Sequence, residues 1–584
     1  MTELRAPIAR VVVDVSALDR ALDYVVPPHL DPRIEVGTLV RVPLHGRRVR
    51  GWVVARAERP ETDRALQAVT KVTGRGPSPE LVDLAGWAAW RWAGARVAFL
   101  RAASPPRAVG TLSPTPSRAP ADDSAARPEA SVLAEAFAGP PAVVRVPPAE
   151  DTFPIVAEAA GRGDALVLAP SVAAAAYLAA RLRHAGHAVA VLPDQWATAA
   201  AGGCVAVGAR GAAWAPRPRL GPVVVIDEHD AAYQEERAPT WHAREVAVER
   251  ARRAGVPCVL TSPCPSLDAL STARLVTLAR TDERAGWPVV EVVDRRAEEP
   301  GLGLFSARFV ALARQAGPDR RVVCLLNRRG RARLLACATC GDLARCDACG
   351  AVVEEVDGGL RCRRCRRVRP VVCAECGSAR LKVLRMGVSR VRDDLERLTG
   401  VPVAEVTADT TPGRLDADVL VGTEAVLRRI ARAWVVAFLD FDQELVVPRY
   451  RAAESAMALL ARAGRVVGGR ADGGRLLLQT RLAGHEVVDA AVHADPSRLA
   501  VVESARRAAL GFPPERAVAT VSGEAAGAFV EPLTGHPGVE VLGPGQGRWL
   551  VRAGDHRTLC DALAATRRPR GQGRLRISVD PMDL

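Results

Sequence analysis

Cys337-Ala338-Thr339-Cys340, Cys346-Asp347-Ala348-Cys349, Cys362-Arg363-Arg364-Cys365 and Cys373-Ala374-Glu375-Cys376 are four C-x-x-C turns within residues 337–376, and they take eight of the chain's 13 cysteines. Such a turn aims two thiolates at one cation, and two turns complete the tetrahedral Cys₄ shell that zinc prefers in structural sites. No histidine lies between His242 and His485, so the ligands here are sulfur alone. A chain expected in the cytoplasm disfavours disulfides, and an iron–sulfur cluster uses fewer, differently spaced cysteines. Five residues separate the first two pairs and twelve the middle two. The middle pairs therefore close a hairpin around one ion with Cys346, Cys349, Cys362 and Cys365. Cys337, Cys340, Cys373 and Cys376 are left to meet around the other, so two nested Zn²⁺ sites per chain are expected. A complete thiolate shell has no open position for water or substrate, and these metals should hold structure without performing chemistry. Arg361, Arg363, Arg364, Arg366, Arg367 and Arg369 crowd the third pair and offer a cationic surface to DNA or an acidic partner.

On both sides of this insertion, buried-strand runs alternate with helical segments. Upstream they fall at residues 165–168, 189–192, 205–207, 223–226 and 256–260; around and after it, at 322–326, 419–421, 435–439 and 476–479. Strands alternating with helices predict parallel sheets covered on both faces. Residues 1–112 read instead as short strands and turns, a β-rich domain, and the Pro-, Ser- and Ala-rich stretch after it marks a linker over 113–140. The expected organisation is an α/β multidomain chain. One lobe covers 141–283, the second starts over 284–333, the zinc insertion covers 334–384, the second lobe resumes over 385–487, and a small α/β C-terminal domain takes 488–584.

Composition bounds the function. A chain of 584 residues, at about 150 per domain, predicts roughly four units. With 48% hydrophobic and 25% charged residues it is foldable protein and neither fibrous nor mostly disordered. The longest apolar run, residues 172–180, is far short of the ~20 that span a bilayer. Glu3 and Asp14 interrupt any secretory leader, so no membrane association and a cytoplasmic address are expected. The net charge of +14 suits a polyanionic partner such as nucleic acid. Lys71 and Lys382 are the only lysines; every other basic residue is arginine.

The cysteines follow Leu326-Asn327-Arg328-Arg329-Gly330, and ordered blocks surround them. Leu22-Asp23-Tyr24, Arg41-Val42-Pro43 and Gly46 stand first. Leu166-Val167-Leu168-Ala169-Pro170, Gly208-Ala209-Arg210, Ile226-Asp227-Glu228, Trp241-His242-Ala243-Arg244 and Ser262-Pro263-Cys264-Pro265-Ser266 come next. Gly422-Thr423, Arg451-Ala452-Ala453-Glu454, Ala463-Gly464-Arg465 and Val579-Asp580-Pro581 complete the series. This set resembles the primosomal protein N′ family, the PriA replication-restart helicases, over most of the chain. The resemblance implies two RecA-like lobes and an N-terminal domain that holds the 3′ end of a nascent strand. It also implies forked and single-stranded DNA as ligands, with primosome proteins, the replicative helicase loader and single-stranded DNA-binding protein as partners. Asp23 is then placed to accept from a terminal 3′-hydroxyl or base, Gly46 to let backbone approach the strand end, and Arg47 and Arg48 to bind phosphate; turn formation alone also explains Asp23 and Gly46. Trp87, Trp90 and Trp92 stand at helical spacing, which favours packing over base stacking.

A helicase of this family needs G-x-x-x-x-G-K-[ST], whose amides cradle phosphates and whose lysine reaches the β- and γ-phosphates. Neither lysine of this chain follows a glycine. Where the loop should stand the sequence reads Arg145-Val146-Pro147-Pro148-Ala149-Glu150-Asp151-Thr152. The acidic block has shrunk to Asp227-Glu228-His229-Asp230, where capping of the following segment competes with Mg²⁺ binding, and Arg465 reads as a surface or lobe-interface residue in preference to an arginine finger. The expectation is a fork-binding protein that promotes primosome assembly and helicase reloading without catalytic residues or ATP. The rival readings are an active ATP-dependent 3′-5′ DNA helicase with an unrecognised phosphate loop, and a zinc-ribbon nucleic-acid module unrelated to replication.

Overall fold

The computed structural model describes residues 7–15, 18–62, 64–112, 130–298, 303–326, 334–356, 358–362, 365–384, 388–406, 410, 417–569, 571 and 573–583. Most of the expected linker, Asn327 to Gly330, and Arg363 and Arg364 lie outside these. β1 (Ile8–Val13), β2 (Ala21–Val25), β3 (Leu39–Leu44), β4 (Arg47–Ala57) and β5 (Lys71–Gly74) make an antiparallel sheet in the order β2-β1-β4-β3-β5. A bridge between Val25 and Ala68 curls its β2 edge toward the segment entering β5. Alternation sorts its faces: Val11, Val13, Val40, Val42 and Val53 share one core with Tyr24. Val12, Leu39 and Trp52 face the helices Pro79–Arg91 and Arg96–Ala103. Ser78 caps the first of these helices, accepting from the Leu81 amide, and Pro79 opens it.

The first lobe is a seven-stranded sheet of β6 (Ala142–Arg145), β7 (Leu166–Leu168), β8 (Val189–Val191), β9 (Val205–Gly208), β10 (Val223–Val225), β11 (Cys258–Ser262) and β12 (Arg274–Thr277). Its order is β12-β6-β11-β10-β7-β9-β8 and every pairing is parallel. The second lobe starts with β13 (Val289–Asp294) and β14 (Val322–Leu325). The cysteine insertion then contributes β15 (Leu334–Cys337), β16 (Val353–Val356), β17 (Gly359–Cys362), β18 (Val368–Arg369) and β19 (Leu381–Leu384). The lobe resumes with β20 (Val403–Val406), β21 (Val419–Gly422), β22 (Val435–Phe438) and β23 (Arg475–Thr480), giving a parallel sheet ordered β13-β23-β22-β14-β21-β20. Of the lobe strands that the expectation does not contain, β6 is internal, whereas β12, β13 and β20 are edge strands. One neighbour and a wetter face let them carry Arg274, Glu291 and Glu405 where a central strand carries valine.

β24 (Ala517–Ser522), β25 (Val539–Gly545), β26 (Arg548–Ala553) and β27 (Arg576–Val579) form a C-terminal antiparallel sheet ordered β25-β26-β24-β27. The helices Glu486–Val492 and Pro496–Leu510 precede it, and Val487, Val488, Ala490, Ala491 and Leu499 belong to the second lobe's core. The N-terminal unit, first lobe and C-terminal unit meet at one buried arginine. The guanidinium of Arg91 donates to Glu245 at 2.7 Å and to Asp580 at 2.6 Å, and His556 Nε2 lies 2.7 Å from the same Asp580. Among the described residues no helix is long and apolar enough to cross a membrane.

Candidate metal, nucleotide and nucleic-acid sites

The metal sites follow from the insertion's turns. The ligand atoms of Cys337, Cys340, Cys373 and Cys376 lie within 4.8 Å of one another, and so do those of Cys346, Cys349, Cys362 and Cys365. All thirteen cysteines are free thiols. Sγ–Sγ separations of 3.5 Å for Cys337–Cys376, 3.6 Å for Cys340–Cys373, 3.4 Å for Cys346–Cys365 and 3.5 Å for Cys349–Cys362 cross the two sets. A tetrahedron with Zn–S bonds of about 2.3 Å has edges of about 3.8 Å, so both donor sets fit one metal ion each. β16 and β17 supply the hairpin between the inner pairs, and β15 paired with β19 brings the outer pairs together. Of the arginines around the third pair, Arg361 lies 3.4 Å from Glu354 and Arg367 3.7 Å from Asp347, while Arg369 donates to the Arg345 carbonyl at 2.9 Å.

At the position of a nucleotide loop, β6 runs through residues 146–152 into the helix Phe153–Gly161. A phosphate needs free amides there. Instead the Val146 N–H donates to Ser262 at 3.1 Å, that of Ala149 to Gly286 at 3.0 Å and that of Glu150 to Pro147 at 3.1 Å. Pro147 and Pro148 have none to give. Arg145 turns away into the interior, donating to both carboxylate oxygens of Glu283 at 2.7 and 2.8 Å. Asp151 is bound by Arg181 at 2.9 and 2.6 Å and accepts from the Phe153 amide. Burial opposes its ionisation, but these donors hold its carboxyl below the ordinary range. The second lobe closes over the loop: a Cβ on Gly464 would come within 3.3 Å of Pro148, and one on Gly469 within 3.5 Å of the Ala149 Cβ and 2.6 Å of the Ala285 carbonyl.

The acidic block faces the same seam. Asp227, in the left-handed region at φ +53°, accepts from the two terminal guanidinium nitrogens of Arg465 at 2.6 and 2.8 Å. Burial raises its pKa, and Arg465 more than reverses this, holding the carboxyl below its ordinary range. Glu228, fully buried, accepts from Arg244 at 2.7 Å and from the Ser266 amide and hydroxyl at 2.7 and 2.8 Å. Neither caps the next segment; Asp230 does, accepting from the Ala232 amide at 2.9 Å, while its other oxygen lies 3.0 Å from Arg462. Arg451 holds Asp268, and Glu454 accepts the Leu267 amide at 2.9 Å. Arg451, the N-cap of the helix Ala452–Val467, and residues 454, 462 and 465 on one face of it have a spacing that is the sequence signal for this clamp.

In the N-terminal unit, His45 and Gly46 have φ of +47° and +76° and form the two-residue tip between β3 and β4, so the glycine suits a type I′ hairpin. Arg47 and Arg48 are exposed beside it. Asp23, on β2, accepts from the Glu61 amide at 2.6 Å and lies 3.4 Å from Arg10. Tyr24 reaches the Pro43 carbonyl at 3.0 Å. Among the described residues no hydrogen bond or ion pair joins Asp23 to the hairpin tip. Trp92 is buried, and Trp90 donates to Asp561 at 2.8 Å.

The model of the PriA 3′ DNA-binding domain matches residues 10–105. Replication restart protein PriA of Bacillus subtilis is 28% identical over 343 residues, 54% of this chain and 43% of that one. A probable replication restart protein PriA of Mycobacterium tuberculosis is 30% identical over 571 residues, 88% of this chain and 86% of the relative. The chain belongs to the PriA family. It spans about half the length of several relatives, 43% for Bacillus subtilis and 50% for Treponema pallidum, and most of the mycobacterial ones. A DEAD box protein from Methanococcus jannaschii aligns over 64% of this chain and 88% of its own at 11% identity and a TM-score of 0.31, too low to carry an argument. Asp23, Gly46, Arg47 and Arg48 all fall within the PriA domain match.

Proposed function

We propose that this PriA-family chain binds abandoned or stalled replication forks and promotes primosome assembly and reloading of the replicative helicase, without driving unwinding by ATP hydrolysis. Family membership and the 3′ DNA-binding domain match support the restart role and the DNA ligand. One observation carries the departure from a helicase: the amides of residues 146, 149 and 150 are committed to protein carbonyls beneath the second lobe. Phosphoryl transfer depends on positioned positive charge around the γ-phosphate, and losing a single such donor costs about 3 kcal/mol in the transition state. Here the glycines and the lysine are missing, and three of the loop's amides are already taken. Two Zn²⁺ ions complete the Cys₄ shells and hold the insertion's shape, and a replicative helicase loader and single-stranded DNA-binding protein are the fitting protein partners. Titration of forked DNA with the purified chain, followed by ATP turnover with and without that DNA, tests the reading. Tight binding with turnover at the no-protein baseline is expected. Fork-stimulated turnover lost in Asp227→Ala would restore the active helicase.

A further inference from the structure

Lys71 on β5, Arg41 on β3 and Arg50 on β4 stand directly opposite one another across three neighbouring strands, since Arg41 pairs with both Arg50 and Lys71. Opposed residues of an antiparallel sheet point to the same face, so the three cations form one row about 10 Å long. Like charges in this arrangement repel and destabilise the sheet. Many of the described arginines meet a carboxylate, among them Arg91, Arg145, Arg244, Arg250, Arg451, Arg465 and Arg507. Among the described residues, none pairs with Arg41, Arg47, Arg48, Arg50 or Lys71. The adjacent acid, Asp14, whose amide donates to the Arg50 carbonyl, is taken by Arg101 at 2.6 Å. Arg50 leans over the Trp52 ring at 5.3 Å with its Nε buried and unpartnered. Arg41 reaches along the strand to the Arg48 carbonyl at 3.3 Å, which joins the row to the hairpin tip.

We infer that this face is a track for the sugar-phosphate backbone of DNA, running from the Gly46 tip across β4, β3 and β5. The inference rests on the DNA-binding reading above and extends it to Arg41, Arg50 and Lys71. Fixed anions at phosphate spacing relieve the repulsion that the free face carries. Contacts of this kind fix orientation without reading sequence, and each one releases counterions.

The test compares wild type with the triple variant Arg41→Gln, Arg50→Gln, Lys71→Gln on forked, duplex and single-stranded DNA between 50 and 200 mM salt. Three lost phosphate contacts should flatten the log K against log[salt] slope by about 2.7 on duplex or about 2.1 on single strands, which also identifies the strand form bound. Across that salt range the loss of affinity should shrink by roughly 40-fold or roughly 20-fold respectively. The melting temperature should rise, because the like-charge row is gone. Unchanged slopes on every DNA would overturn the track while leaving fork binding intact. Unchanged DNA isotherms with weaker capture of polyglutamate would assign the face to an acidic polypeptide and overturn it too. Failure of wild type to bind any DNA would instead remove the reading on which the track depends.

Discussion

Asp23 is held from two sides within its own domain, by the Glu61 amide and by Arg10. An acid so satisfied reads first as a fastener for the segment after β4, and a terminal hydroxyl would have to share its oxygens. If it does share them, Asp23→Ala should reduce the preference for forks ending in a free 3′-hydroxyl by roughly 10-fold, the worth of one hydrogen bond to a charged group, while leaving the salt slope unchanged. Competition binding between hydroxyl-ended and phosphate-capped forks measures this. An equal loss on all DNA, with a lower melting temperature, would make Asp23 a fastener only. The turn at Gly46 was legible because His-Gly between strand-like runs admits few backbones. The engagement of Asp227 and Glu228 was not. Capping is a local habit of carboxylates, whereas Arg465 is 238 residues away from Asp227.

At the scale of elements, the insertion was the most legible part of the chain, because loop lengths between C-x-x-C turns leave one economical pairing. Its test is a metal count. Purified chain should carry two Zn²⁺, and Cys346→Ser should release one of them while Cys337, Cys340, Cys373 and Cys376 keep the other; loss of the ion shared with Cys373 would refute the nesting. Each site is worth on the order of 10 kcal/mol of local folding, so a chelator should unfold residues 337–376 and spare the N-terminal sheet, a difference visible in hydrogen exchange. Most central valine strands of both lobes were equally plain; β6, Ala-Val-Val-Arg, was not, because four residues beside the linker are too short a run to stand out. β13 and β20 escaped notice because Val-Val-Glu-Val-Val-Asp and Val-Ala-Glu-Val carry acids that only an edge position tolerates.

For the whole molecule, the junction of Arg91, Glu245, Asp580 and His556 decides how three units hold together. Val579-Asp580-Pro581 was recognisable as a block, but nothing local names its partner Arg91, 489 residues earlier. Burial disfavours the charged imidazole of His556, yet the Asp580 carboxylate prevails and raises its pKa. Burial likewise opposes ionisation of Asp580, and His556 with Arg91 drives its pKa well below the carboxylate range. The signs follow. The His556 contribution is complete below about pH 6.5, the ordinary histidine value, and is lost as pH rises through the raised value. The Asp580 contribution is present above its ordinary value near 3.9 and fails only in strong acid. Thermal melts should therefore weaken as pH rises above about 6.5, and His556→Gln should flatten that slope; an unchanged slope would place the titration elsewhere. The insertion relates to the whole differently. β15 and β19 leave and re-enter the second lobe side by side, between β14 and its crossover helix Val388–Thr399. The metal-bearing segment is thus a cassette on a two-strand stalk, and its replacement by a short connector should leave the strands of the parent sheet in register.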